Sequence, residues 1–516
     1  MPTEPRRSLV LAALVLGLAG TARAEAPLSA IDWLSQSLVT PVAQPAPNRN
    51  EPAVTKDGAV PEGVTTSALD RASPDAVGIL PPQITGLPRN LWGLGRTADI
   101  QTLLALEGTQ DLPALQGLLI TLLLAEAEPP ADAGAGGTLL LARLDKLLAI
   151  GALDQARALL DAAGPATTPD LFRRYFDVAL LIGDEDKACA LLRDAPGLSP
   201  ALPTRIFCLA RAGDFDAAGL TLDTARALGT VTPADADLLA RFMDPALDEA
   251  GGTLTAPTPL TPLTLRLFEA VGEPLPIATL PIAFSYADLS ENAGWKAQIE
   301  AAERLAQASA IAPNMLLGLY TQQKPAASGG VWDRVATFQT LDRAIASGDA
   351  KAVELVLPAA WAAMASAELE VPLAALYADK LARMALTGAA GEIAFNISLL
   401  SPDYETLSAL HPATSPRAAF LASLAKGDLA GATPPDSMAR AIAPAFLAPV
   451  IPDDFKTLLD QNRIGEVILQ AMTRINHGTA GDLRGVTDGL SVLRHIGLED
   501  VARRTALQLL LLDRRG

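Results

Sequence analysis

One short turn, written three times in the first half of the chain, limits the fold more than anything else in the sequence. Leu148-Ala149-Ile150-Gly151-Ala152-Leu153-Asp154-Gln155-Ala156 is echoed by Leu181-Ile182-Gly183-Asp184-Glu185-Asp186-Lys187-Ala188 and by Arg211-Ala212-Gly213-Asp214-Phe215-Asp216-Ala217-Ala218. The three glycines stand 32 and 30 residues apart, and weaker copies sit at Gly348-Asp349, Gly427-Asp428 and Gly497-Leu498-Glu499-Asp500. Each part has a physical role. A helix ends on an apolar residue, Gly takes the left-handed conformation that closes it, Asp caps the next helix, and a small Ala lets the second helix lie close to the first. From about Thr97 the text is Ala- and Leu-rich with helical spacing, broken by Gly or Pro every 10–20 residues and nearly without alternating or β-branched runs. One such hairpin cannot bury its own apolar face, so copies must stack. The expected fold is all-α, an α-solenoid of helix-turn-helix repeats.

The turn and its following Ala, at Gly151 with Ala156, Gly183 with Ala188 and Gly213 with Ala217 or Ala218, resemble tetratricopeptide-type repeats over about residues 140–230. In that respect the chain is similar to exported proteins of Gram-negative cells that carry tetratricopeptide-like repeats. The Trp, Tyr and Pro positions of the family pattern are not matched in register. The resemblance implies stacked hairpins and a protein-binding surface.

The N-terminus reads as an address. Arg6 and Arg7 give a positive start, Leu9 to Ala19 an apolar stretch, and Ala22-Arg23-Ala24 a cleavage signal, so residues 1–24 are expected to be a signal peptide cut after Ala24. Arg6-Arg7 leaves twin-arginine and general secretory export both open. The expected location is the periplasm. No later segment is apolar and long enough to span a bilayer, so no integral membrane segment is expected after cleavage.

Residues 25–95 are punctuated by Pro41, Pro45, Pro47, Pro52, Pro61, Pro74, Pro81, Pro82 and Pro88 and are expected to form a Pro-rich, mostly disordered arm. Inside it lies one helical island, residues 28–38. Ser29 and Asp32 have the spacing of a capping box, Ile31, Leu34 and Leu38 share one face, and Trp33 flanks it. So short a helix is not stable alone in water and must dock. Ile31, Trp33, Leu34 and Leu38 are its expected contact residues, with a partner, the chain's own groove or an open end of the solenoid as possible receivers. Further on, residues 96–250 form one helical repeat block, 251–284 a Pro/Thr-rich break, and 285–516 a second block. If Pro233, Pro313, Pro402, Pro416 and Pro452 stand in first turns of helices, the array is continuous through the break.

Composition removes whole classes of function. With 58 acids against 40 bases, 3 His and 2 Cys in 516 residues, no zinc ribbon, iron–sulfur cluster or disulfide scaffold is possible. Removal of residues 1–24 leaves 57 acids and 37 bases, a net charge of −20, so nucleic acid is not an expected partner and other envelope proteins are. Cys189 and Cys208 lie nearly symmetrically about Pro196-Gly197-Leu198-Ser199-Pro200, which makes them a disulfide candidate in an oxidising compartment.

Motifs with possible chemistry each have a plainer reading. Gly93-Leu94-Gly95-Arg96-Thr97-Ala98 spells a dinucleotide-binding turn, but no strand precedes it, and it is read as a loop entering a helix. Ser423-Leu424-Ala425-Lys426 has the S-x-x-K spacing without its companion motifs, and Lys426 suits a helix C-terminus. The acid groups Asp184-Glu185-Asp186, Asp453-Asp454 and Glu499-Asp500 lie at helix starts and lack a calcium-loop spacing, so they read as caps. His411, His477 and His495 form no metal motif. No catalytic residue, cofactor or metal ligand is assigned. The function expected is a non-catalytic periplasmic scaffold or adaptor that holds other proteins. Alternatives are an accessory component of a flagellar or secretion apparatus, or a cell-wall or polysaccharide-acting enzyme with an unrecognised site.

Overall fold

The computed structural model describes residues 73–512, apart from 109–111, 200, 245, 247–253, 258 and 480. Residues 1–72, which include the expected signal peptide and the island 28–38, lie outside the described residues. The described chain is all-helical, with a single isolated bridge, Leu80 to Ala125. Its longer helices run α1 (Thr97–Leu106), α2 (Pro113–Leu124), α3 (Thr138–Ala149), α4 (Leu153–Ala163), α5 (Pro169–Ile182), α6 (Glu185–Asp194), α7 (Leu202–Arg211), α8 (Phe215–Leu228), α9 (Pro233–Met243) and α10 (Pro262–Ala270). After a 3-10 segment, Ile282–Leu289, come α11 (Trp295–Gln307), α12 (Pro313–Gln322), α13 (Val331–Ser347), α14 (Ala350–Ala365), α15 (Glu370–Ala382) and α16 (Gly388–Leu400). The last are α17 (Pro416–Ala425), α18 (Ser437–Leu447), α19 (Asp453–Asp460), α20 (Ile464–Thr479), α21 (Leu483–His495) and α22 (Glu499–Leu511). None of the described helices is long and apolar enough to cross a membrane.

The repeated turns form as their residues require. Gly151, Gly183 and Gly213 have φ of +77°, +84° and +82°, a region that costs side-chain-bearing residues energy, and each joins two helices packed as a hairpin or corner. Ala156, Ala188 and Ala218 are fully buried where the following helix meets its neighbour. The Asp part of the pattern divides. Asp214 and Asp349 accept from Ala217 N and Lys351 N and so cap α8 and α14, whereas Asp184 caps nothing and instead receives Lys187 and Arg157.

Consecutive hairpins pack on one another throughout, and the break over 251–284 does not interrupt them. α10, which starts at Pro262, packs on α5, and Ile282–Leu289 packs on α3, α5 and α11. Pro233, Pro313 and Pro416 do occupy first turns. Pro452 is instead the residue before α19, and Pro402 precedes the short helix Tyr404–Ser408 without entering it.

Two features depart from the expected layout. Residues 73–95 are not part of an extended arm; they are built into the body. Leu80, Leu87, Leu91 and Trp92 are buried, and Ile79 N and Leu80 N both donate to Leu124 O at the end of α2. Arg143 pins this strap. It is buried, and its guanidinium donates to Leu123 O, Val77 O and Ala125 O at 2.7, 2.6 and 3.0 Å, while Asp75 accepts from Leu140 N. The linker-like composition misleads because the Pro and Gly residues shape the strap while a few large apolar residues bury it.

The second departure is closure. α22 packs on α2, and α20 packs on both α1 and α2, so the last hairpins return to the first. Gly465 N donates to Leu91 O, Leu94 N to Gln461 O, Thr473 Oγ1 to Glu107 Oε1, and Ala114 N to Gln508 Oε1, at 2.8 to 3.1 Å. The ring of Trp92 lies where a Cβ on Gly465 would stand. α2 is apolar apart from Gln116 and Thr121 and is buried on nearly its whole circumference, the burial such a helix requires.

Candidate functional site

The two cysteines meet. Cys189 on α6 and Cys208 on α7 form a disulfide with Cα atoms 5.1 Å apart. These helices are packed neighbours joined by the connection between Asp194 and Leu202, and the two cysteines, five residues before its start and six after its end, arrive at nearly the same height. Ile31, Trp33, Leu34 and Leu38 lie outside the described residues.

The glycines of the sequence 93–98 serve packing. Gly93 has φ +45°, and a Cβ there would stand 2.3 Å from Asn462 O; one on Gly95 would meet Glu466 Oε1 at 2.4 Å. The space a phosphate would need beside this turn is taken by the α19–α20 connection. Ser423 lies within α17, and Lys426 is the residue closing that helix, its N–H directed to Ala422 O. The acid groups face arginines and lysines: Glu185 and Asp186 meet Arg211, Asp453 meets Lys456, Asp454 meets Arg474, Glu499 meets Arg494 and Arg503, and Asp500 meets Arg504. Ion pairing, more than helix capping, is what these carboxylates do. Among the described residues no group of His, Cys, Asp and Glu is arranged to hold a metal ion.

Sequence reading passed over one constellation with a catalytic look. His411 Nε2 lies 3.0 Å from Ser398 Oγ. Ser398 is wholly buried and its hydroxyl donates to Ala394 O at 2.9 Å, so its single proton is already committed and Nε2 must be the donor. A serine nucleophile needs the reverse direction and access to substrate. Burial also holds the His411 imidazolium pKa below its ordinary value. The contact ties the end of α16 to the loop after Tyr404–Ser408.

The polar side chains brought deepest into the fold form structural knots of the same kind. Glu303 on α11 receives both arms of Arg334 from α13, at 2.7 and 2.5 Å, and the hydroxyl of Tyr320 from α12, at 2.5 Å. Burial, reinforced by the Glu303 charge, pushes the Tyr320 phenol far above its usual range. An open groove of about 520 Å³ between α18 and α21 is lined by Ser437, Arg440, Leu483, Arg484, Thr487 and Asp488. A smaller one of about 390 Å³ beside α9 contains Asp235 and Asp237, the first accepting from Thr232 and the second facing Arg226. In neither do two unengaged carboxylates, or a Ser and a Lys, converge.

What the surface does offer is apolar side chains left in solvent. Leu355 on α14 is 82% exposed, Val450 73% and Leu220 on α8 71%. Around Leu220 the outward side of α8 also carries Asp216, Asp223 and Arg226, and Val450 belongs to a short loop. α14 differs from both. From Leu355 to its end at Ala365 it carries no charged residue, and Leu355, Ala359 and Ala362 are exposed with Pro358 and Trp361 partly so, while Lys351 and Glu354 precede this stretch.

No protein-family model matches the chain, and no curated protein or solved structure matches it. What is shown is the class: an all-helical protein of successively packed hairpins.

Proposed function

We propose that this chain is an exported scaffold or adaptor of the cell envelope that holds other proteins through its helical surface. The observation that carries the reading is the second half of α14, which after Glu354 has no charged residue and begins with a leucine 82% exposed. Exposed large apolar residues gathered on one helix face mark contact surfaces more often than they mark chance. The Cys189–Cys208 bridge is consistent with a compartment where disulfides persist. The acidic balance favours protein over phosphate-bearing partners.

The test is affinity purification of the mature chain from envelope extracts, with wild type compared against Leu355→Glu. The expected outcome is a defined set of envelope proteins retained by wild type and depleted at least tenfold by the variant. An identical set from both, or a purified chain that turns over a cell-wall substrate, sinks the scaffold reading. Should an arm-deleted chain be used, the deletion ends at residue 72, because residues 73–95 are packed into the core.

A further inference from the structure

α18 and α21 lie side by side and run in the same direction. Thr487 Oγ1 donates to Ala441 O and, further along both helices, Arg494 Nη1 donates to Ala445 O, each at 2.6 Å. The first turns of both helices therefore open onto one face, and there they line the groove of about 520 Å³. We propose that this groove binds an acidic segment of a partner protein, with Arg440 and Arg484 receiving its carboxylates. The proposal rests on the scaffold reading above and names the chemistry of what is held.

The lining offers donors in excess of acceptors. Arg440 is exposed, and among the described residues its guanidinium meets no carboxylate, carbonyl or hydroxyl. The Ser437 hydroxyl is likewise uncommitted. Arg484, 89% exposed, reaches Asp488 at 3.8 Å, and the same carboxylate oxygen faces Arg474 at 3.6 Å. One aspartate shared in this way does not satisfy two guanidiniums, each with five N–H donors. Asp436 and Asp482 are engaged as caps, accepting from Ala439 N and Gly485 N. The helix ends are thus closed, and the open donors are side chains.

Charge sets what those donors attract. A planar guanidinium grips a carboxylate through two parallel hydrogen bonds, more firmly than a neutral donor does. The whole chain carries 18 more acids than bases, so most of its surface repels an acidic segment. Here the nearest acids are already paired: Asp436 faces Arg417, and Asp454 and Asp488 face Arg474. Arg440 is left uncompensated. An acidic segment turned away elsewhere meets a favourable field at this groove, which fixes its place and orientation more than its affinity.

Volume separates a chain from a bare ion. About 520 Å³ lies within the ~300–1,000 Å³ of sites that hold an organic ligand. Ala441 and Leu483 line the groove beside the arginines and give the neighbours of a carboxylate an apolar surface to cover. A phosphate ion would leave both unused.

Calorimetric titration of the purified mature chain with defined probes tests this. The probes are a hexapeptide of leucine and glutamate blocked at both ends, its glutamine counterpart, and inorganic phosphate. The glutamate peptide should bind at least tenfold tighter than the glutamine one, and should weaken several-fold as salt rises from about 0.05 to 0.5 M. Arg440→Gln and Arg484→Gln should each weaken it about tenfold, and together abolish it. Both side chains are exposed, so the fold does not depend on them. Lys324→Gln, which removes an exposed charge outside these helices, should leave binding unchanged. Equal binding of the two peptides, binding that survives the double substitution, or no binding of the glutamate peptide at millimolar concentration overturns the proposal. Phosphate that displaces the peptide at matched concentration overturns it too, by assigning the groove to small oxyanions. Because no envelope protein is present, failure here is separable from failure of the scaffold reading, which the extract experiment with Leu355→Glu decides.

Discussion

Asp177 shows what a single side chain costs this fold. It sits in the middle of α5, partly buried, and loss of water pushes its carboxyl up to about 6, with Arg173 and Arg174 pulling it down and Asp145 pushing it up. A carboxyl that ionises less readily folded than unfolded leaves stability untouched below its unfolded pKa and subtracts from it as pH rises towards the folded value. Asp177→Asn should therefore stabilise the protein by about 1–2 kcal/mol at pH 7 to 8, below the ~3 kcal/mol of the full shift because solvent still reaches the group. The gain should vanish below about pH 4. Urea melts of both proteins at pH 4 and pH 7.5 check this, and equal midpoints at the higher pH would refute it. Nothing in the local sequence announces Asp177, since its neighbours Arg173 and Arg174 look like adequate compensation. Arg174 is engaged elsewhere, by Asp145 from α3 at 2.5 Å.

At the scale of elements, the turns were the most legible part of the sequence, because a left-handed residue between two helices is nearly a private requirement of Gly. Helix starts were equally readable but only partly read. Thr168-Pro169, Thr232-Pro233, Thr261-Pro262 and Ser415-Pro416 each place a capping hydroxyl directly before a first-turn proline, the hydroxyl accepting from the N–H three residues on. That pairing, seen as a unit, would have placed α10 inside the presumed break. The Cys189–Cys208 bridge closes a loop of 19 residues and should contribute about 3 kcal/mol to the hairpin of α6 and α7. Cys208→Ser, or reductant, should speed amide exchange across residues 185–211 while α20 and α21 stay unchanged. A uniform loss of protection would mean that the bridge supports the whole body and not this hairpin.

For the whole molecule, closure is the dominant feature. Residues 91–94 and 461–465 are about 370 positions apart in sequence yet exchange two backbone hydrogen bonds across a contact that no side chain at 93 or 465 would fit. Gly93→Ala combines a strained φ with a Cβ against backbone oxygen and should cost about 2–4 kcal/mol. The loss should appear on both sides of the seam, in α1 and α2 and equally in α20 and α22, since each covers the other. Hydrogen exchange confined to the N-terminal side would show that the ends are independent. An array with free ends would unravel from either end, as stacked repeats do; among the described helices the first and the last cover each other instead.

The helical class, the turns, the proximity of the two cysteines and the surplus of acid all follow from short-range rules, since backbone conformation, helix period and charge depend on residues within a turn or two of each other. Whether a Pro-rich stretch lies loose or is strapped down by Arg143, whether the array ends or closes, and which apolar face stays open depend on surfaces that meet only once the chain has folded. Gly93 and Gly465 hold that difference in two letters. Each reads locally as an ordinary small residue, and each is required by the backbone or aromatic ring of a segment from the opposite end of the chain.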